Sequence, residues 1–252
     1  MPVFTVSSDS LVSLVCLQPK IRKRNSQKSF WIGDKRLGSV LSIFNIFKKE
    51  SKQVQGKIGY FGLSDWWLSN FSVEEREHII KTFQPFGSSG ESLIKGNIAS
   101  TSETPIGLLS ALASWFSKKD DRTIAYRIIK KAEEMIDESS NILDIHFLYQ
   151  SKIEIYYRNR DNDPDALEKA IEACKQQIEI SPKAKIAFQR EYEDSPLPAH
   201  KGFGQLAIIE EKRKNFEAAI QISKAALEQG WAGDWEKRIE RCSKKIAGYN
   251  RY

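Results

Sequence analysis

From Pro105 to the C-terminus, apolar residues recur three and four positions apart. That is the spacing of one helix face, so this half of the chain is restricted to helix packed on helix. The first run is GLLSALASWFSKK, broken by Asp120, Asp121 and Arg122. TIAYRIIKKAEEMIDE is the second and NILDIHFLYQSKIEIYYR, residues 141–158, the third. A fourth is expected to start at Asp163-Pro164, with Asp as the cap and Pro in the first turn, and to stop at Ser181-Pro182. Trp235, Ile239, Cys242 and Ile246 give a last amphipathic helix over 234–246.

Residues 200–231, HKGFGQLAIIEEKRKNFEAAIQISKAALEQGW, read as two antiparallel helices. Ala207 and Ala219 let the helices approach, and Phe203, Leu206 and Phe216 fill the gap. This pattern resembles a tetratricopeptide repeat. Phe203 stands at the first aromatic position, Leu206-Ala207 at the Leu-Gly position, Asn215-Phe216 at the turn, and Ala219 and Ala226 at the two small positions. Glu210 and Ser223 depart from the usual aromatics, and Trp231 from the closing Pro. Residues 144–182 resemble a second copy through Ser151, Leu167, Ala170, Cys174 and Pro182, with a longer turn at 159–165. Residues 108–136 resemble a third through Ala125, Ile129 and Ala132. The resemblance spans residues 108–246. It implies an all-α fold of stacked antiparallel helix pairs, a tetratricopeptide-like solenoid closed by a solvated cap helix, whose first helices line a groove for a protein or peptide. Groove candidates are the first-helix residues outside the packing pattern: Tyr149, Lys152 and Tyr156, then Lys201, Ile208 and Lys212. Tyr and Lys there suit an extended acidic or aromatic peptide. The bland alternative is that the tyrosines pack between repeats and the lysines are ordinary surface residues. Gly204 and Ile208 occupy two places where chaperone-tail-binding members carry their carboxylate-holding Lys and Asn, so that ligand is not expected.

Ahead of the repeats, residues 58–104 read as a small helical cap region ending in a Ser/Gly-rich loop. Ser64 or Asp65 is expected to cap a short helix carrying Trp66 and Trp67. Ser72 and Glu75 have capping-box spacing, and Pro85 and Gly87 stop the helix that follows. Residues 87–104 form the loop, with a short extended piece expected around Ile94 to Ile98. Trp66 and Trp67 are candidate aromatic anchors. Neighbours on a helix point about 100° apart, so one of the pair is expected in the core.

Residues 1–57 read as a basic disordered tail and linker. Residues 1–49 hold nine Lys/Arg and two Asp, while the remaining 30 Lys/Arg nearly balance 31 Asp/Glu. The overall charge of +6 is therefore a property of the tail. The apolar run at 11–17 (LVSLVCL) is too short for a membrane span, which needs about 20 residues. Its basic flank follows it, the wrong order for a secretory signal. From Val40-Leu41 the chain reads like the opening of many small bacterial proteins, so residues 1–40 are expected to be either disordered or upstream of the native start.

Chemistry leaves few traces. His78, His146 and His200 are the only histidines. Cys16, Cys174 and Cys242 are far apart, and no metal-ligand spacing, phosphate loop or nucleophile elbow occurs. No cofactor or metal is expected. The resemblance implies a protein- or peptide-binding scaffold that acts as adaptor or regulator; cysteine usage suggests a reducing, cytoplasmic setting, and without a catalytic motif the chain is not expected to be an enzyme. The alternatives are nucleic-acid association through the basic arm at 20–36, or an enzyme with an unrecognised site near Trp66 and Trp67.

Overall fold

The computed structural model describes residues 54–249. The expectations for the N-terminal tail (the 11–17 run, the basic arm at 20–36, and the start at Val40 or Leu41) lie outside the described residues. The described residues are all-helical, with eleven α-helices and no strand. They fall into two units, divided between Ser102 and Glu103.

The first unit contains α1 (Gly56–Tyr60), α2 (Ser64–Asn70), α3 (Val73–Thr82) and a 3-10 turn at Gly90–Leu93. α3 begins as its spacing demands. Ser72 Oγ accepts the Glu75 amide, and the Glu75 carboxylate accepts the Ser72 amide. α2 departs from expectation. Ser64 is its first helical residue and Leu63 occupies the cap position, so neither Ser64 nor Asp65 caps it. Leu63 is fixed there by burial and by donating its amide to the Ile58 carbonyl. α1 lies partly inside the stretch that composition assigns to a linker. It begins at Gly56, whose φ of +64° suits glycine and whose missing Cβ would lie 2.6 Å from the Ser92 carbonyl oxygen. The 87–104 loop carries the 3-10 turn and no extended pairing. Ile58, Leu63, Trp67, Phe71, Ile79, Phe83 and Leu93 are this unit's buried apolar residues.

The second unit runs α4 (Pro105–Ser114), α5 (Arg122–Glu134), α6 (Ile142–Arg158), α7 (Ala166–Glu179), α8 (Ser181–Glu191), α9 (Lys201–Lys212), α10 (Phe216–Gln229) and α11 (Trp235–Tyr249). α4 packs on α5, α6 on α7, and α9 on α10, and α11 lies on α10. Three polar contacts fix α4 alongside α6 in the same direction. Thr104 donates to Asp144 at 2.7 Å, the Ser110 and Ser151 hydroxyls lie 3.1 Å apart, and Asn159 donates to the Ser117 carbonyl at 3.1 Å. The spacing rises only from 40 to 42 residues over the length of the pair, so two helices of equal pitch run side by side. Ala207, Ala219 and Ala226 are fully buried where α9 and α10 approach. Gly230 ends α10 at a φ of +82°. Glu211 on α9 then binds Arg238 and Arg241 of α11.

Two boundaries differ from the sequence reading, each for a local reason. Asp163 accepts the Asp165 amide at 3.0 Å, and this turn delays α7 until Ala166. Ser181-Pro182 ends α7 but also opens α8, a helix not anticipated from sequence. Proline lacks only an amide that would be unpaired at the first positions of a helix, so α8 starts where α7 stops. α8 packs on α6, and Leu197 of the Ser195–Pro198 stretch is buried against it.

Asn159 is fully buried and supplies both Nδ2 protons, to Ser117 and Ile155 carbonyls. Asn159→Ala leaves the Ser117 carbonyl without that donor. It should cost about 1–3 kcal/mol in urea denaturation, the range for an unmade buried hydrogen bond; a loss below about 0.5 kcal/mol would show that the carbonyl finds water instead.

Candidate functional site

The α6 candidates form one stripe: Tyr149, Lys152 and Tyr156 stand three and four residues apart. That stripe faces the gap between α5 and α7. Lys152 is only 6% exposed, and its ammonium donates to Glu133 of α5 at 2.6 Å and to Gln176 of α7 at 3.1 Å. The Tyr156 ring is buried and stacks on Tyr126 of α5, with centroids 4.4 Å apart, while Lys169 of α7 reaches to 5.7 Å from it. Burial, then the carboxylates of Glu133, Asp163 and Glu172, pushes the Tyr156 hydroxyl up to about 12. Tyr149 is half-buried. Burial and then Glu133, Glu179 and Glu172 raise its hydroxyl too, so both phenols stay protonated at neutral pH. Lys152 thus serves Glu133 and Gln176, and carboxylates border the tyrosines. An acidic peptide would meet repulsion here.

The α9 candidates face elsewhere. Lys201 pairs with Glu154 at 3.3 Å, and Lys212 donates to the Tyr157 hydroxyl at 3.0 Å. The Arg160 guanidinium also lies over that ring, 4.4 Å from its centroid. Ile208 is half-buried. Glu154 and Tyr157 lie on a different side of α6 from Tyr149, Lys152 and Tyr156, so the two sets of three do not share one groove.

A groove that sequence reasoning missed lies on the other side of α7. Ile178 and Glu179 of α7 form one wall, Ile222 and Ala225 of α10 the other, and Phe203 and Leu206 of α9 the floor, around an open volume of about 420 Å³. Phe203 and Leu206 are buried, while Ile178, Ile222 and Ala225 are half-buried. Both α7 and α10 pack on α9. At the junction of α7 and α8, Ser181 donates to Gln229 at the end of α10, 2.8 Å away. One sequence signal pointed here. It is only a weak one: the apolar band of α10, Ala218, Ala219, Ile220, Ile222, Ala225, Ala226 and Leu227, is shared between packing on α9 and α11 and the groove wall.

Behind Phe203 lies an aromatic cluster that holds the two histidines of this unit. His146 and His200 are 1% and 2% exposed, with ring centroids 5.1 Å apart. Trp231 stacks on His146 at 5.9 Å, and Phe188 meets it edge-on at 5.3 Å. Gln177 joins three elements here. It donates to the His146 carbonyl and accepts the Gly202 amide. His200 Nδ1 caps α9 by accepting the Phe203 amide. Burial holds His146 down at about 4. Burial and then the nearby His146 hold His200 at about 3. Both are neutral at pH 7 and have no carboxylate partner, so this cluster is not arranged as an acid–base relay. Burial also pushes the Cys174 thiol up to about 12, leaving no reactive thiolate.

In the first unit, Trp67 is 2% exposed and belongs to the core, while Trp66 is half-buried with its ring edge-on to Phe71 at 5.2 Å. The packing divides the two candidate anchors, placing one of them inside. Among the described residues no group of three or more His, Cys, Asp or Glu could hold a metal ion, and no helix is long and apolar enough to cross a membrane. Comparison with family models, characterised proteins and solved structures returns no match.

The Lys152–Glu133 pair has a testable asymmetry. Glu133→Ala leaves a buried ammonium with only Gln176 and should destabilise the protein by about 1–3 kcal/mol. Lys152→Met keeps the shape without the charge and should cost less than about 1 kcal/mol. Denaturation midpoints of the two variants give the order, and equal costs would mean that Lys152 reaches water.

Proposed function

We propose that the chain is a protein- or peptide-binding helical scaffold. In this reading α4–α5, α6–α7 and α9–α10 are tetratricopeptide-like pairs, α11 is the closing helix, and α8 is an insertion between the second and third pairs. The observation that carries the proposal is the open groove walled by α7 and α10, with an apolar floor of Phe203 and Leu206. Concave, mostly apolar surfaces with a few polar groups at the rim are where proteins take ligands, and helical repeats present such surfaces to extended or helical peptides. The docking surface is therefore assigned to the face between second helices. Ile222, Ala225 and Ile178 supply the apolar contacts and Glu179 the polar rim.

Two further features support a binding role in a reducing, cytoplasmic setting. Cys174 and Cys242 are free and buried, and the conspicuous polar clusters are consumed in holding helices together. An enzyme site near Trp66 and Trp67 gains nothing from a Trp67 that fills the core.

A photoreactive residue at exposed Gln221, on the groove rim, should crosslink a partner in cells, whereas one at exposed Glu236 on α11 should not. Ile222→Glu should lower the Gln221 crosslink about tenfold or more, the loss of roughly 1.4 kcal/mol of apolar contact, while leaving the helical circular dichroism unchanged. Equal crosslinking at both positions, or a yield indifferent to Ile222→Glu, would remove the groove from the proposal.

A further inference from the structure

The two buried histidines stand where a short segment is fastened to the helices. Residues 192–196 between α8 and α9 are exposed, and Asp194 adopts a φ of +63°. The segment that follows is held at a few points. Leu197 and His200 are buried in the aromatic cluster, and the Pro198 carbonyl accepts the Ala232 amide at 3.2 Å beside the bridge between Ala199 and Ala232. A segment with so few buried contacts belongs to the low-stability end of a structure and can open by itself.

Its two titratable anchors have no charged partner. His146 Nδ1 and His200 Nε2 are buried without a hydrogen bond. The charged and titratable groups on the surrounding elements are engaged or directed elsewhere. Asp144 of α6 accepts from Thr104, Lys201 of α9 pairs with Glu154, and Arg238 of α11 pairs with Glu211. Tyr149 of α6 faces Glu133, Glu179 and Glu172, the Cys174 thiol of α7 is buried and protonated, and Glu172, Lys175 and Glu179 of α7 are exposed. On α8, Lys183, Arg190 and Glu191 are exposed and Lys185 is half-buried. Tyr192, Glu193 and Asp194 after it, and Lys224 and Glu228 of α10, are exposed. Gln177 of α7 and Gln229 of α10 are neutral. A proton arriving on either imidazole meets rings and amides, and one arriving at His200 Nδ1 also abolishes the cap that accepts the Phe203 amide and sets a cation at a helix N-terminus.

We propose that residues 192–200 form an acid-released strap, latched by His200 against His146 and freed when either imidazole takes a proton. In the closed strap both histidines titrate well below the usual 6.5. The closed state therefore binds fewer protons than the open one. Closure is fully favoured above pH 6.5 and weakens as pH falls from 6.5 towards 4. With His146 at about 4 when closed and 6.5 when open, the open population rises about 30-fold at pH 5 from that residue alone. Release removes the His200 ring from its edge-on contact with Trp231, 4.7 Å between centroids. Because Phe203 is common to cluster and groove floor, it also reshapes the docking surface, a consequence that rests on the groove reading above.

Hydrogen exchange of the full chain between pH 7.5 and 4.5, corrected for intrinsic rates, tests the strap. The amides of Ala232, Gly202 and Phe203, which donate to the Pro198 carbonyl, Gln177 Oε1 and His200 Nδ1, should lose protection about tenfold or more by pH 5 while those of α4 and α5 stay protected. In His146→Phe/His200→Asn, where Asn retains a cap acceptor, protection of the strap should be flat across the range. The imidazole carbon shifts of the unmodified chain supply a readout without substitution, with both midpoints below 6.5. Three results overturn the strap: simultaneous loss of protection in α4 and α5, an unchanged pH dependence in the double variant, or both histidines titrating at their ordinary value with constant protection. Persistence of the strap transition with no effect on the Gln221 crosslink would count against the groove alone.

Discussion

The second unit depends on α6 being packed from several directions at once. α4, α5, α7, α8 and α9 all lie against it. A helix so enclosed turns some of its polar side chains towards its neighbours. Several have a protein partner at the interface they face. Ser151 meets Ser110 and Asn159 meets Ser117 on the α4 side, Lys152 meets Glu133 and Gln176 between α5 and α7, and Glu154 meets Lys201 on the α9 side. Apolar packing drives these helices together without direction, whereas the polar pairs are directional. A one-residue slip would turn each of them about 100° away from its partner. The register of the unit is therefore written in polar contacts more than in apolar ones.

The elements that were legible in the sequence are those whose determinants are local. The capping box at Ser72, the length of α6, the alanines of α9 and α10 and the amphipathic α11 follow from spacing within a single segment. α8 was hidden because Pro182 signals both a helix end and a helix start, and only the packing of Ala184, Ala187 and Phe188 on their neighbours decides between them. Lys152 reads as a surface residue because its partners are 19 residues before it and 24 after it. Which face of α6 meets which helix is not encoded in any short window. The groove was nearly hidden for a similar reason. Its walls and floor come from three helices, and its openness reflects how far α7 and α10 stand apart on α9.

The polar and aromatic clusters divide their work by position in the unit. Glu211 fastens α11 through two arginines at the outer end, where side chains remain partly hydrated and the pairing is correspondingly modest in energy. The histidine cluster lies inside, where an uncharged imidazole packs like a small aromatic ring and a charged one cannot be accommodated. Gln177 serves the inner cluster. Its neutral carboxamide, donor and acceptor on one carbon, joins the backbone of α6 to that of α9 through α7 without importing a charge.

With α8 between α7 and α9 in the chain, the two crevices that flank α7 are built from different chemistry. A row of identical helix pairs repeats the same crevice at each junction and can be filled by degrees, with one guest occupying any of several equivalent places. Here one junction has a carboxylate-bordered gap over tyrosines and a buried lysine, and the next, beyond α7, has a hydrocarbon-floored trough. One crevice is bordered by charge and the other by hydrocarbon, so the two surfaces flanking α7 are not chemical copies of each other.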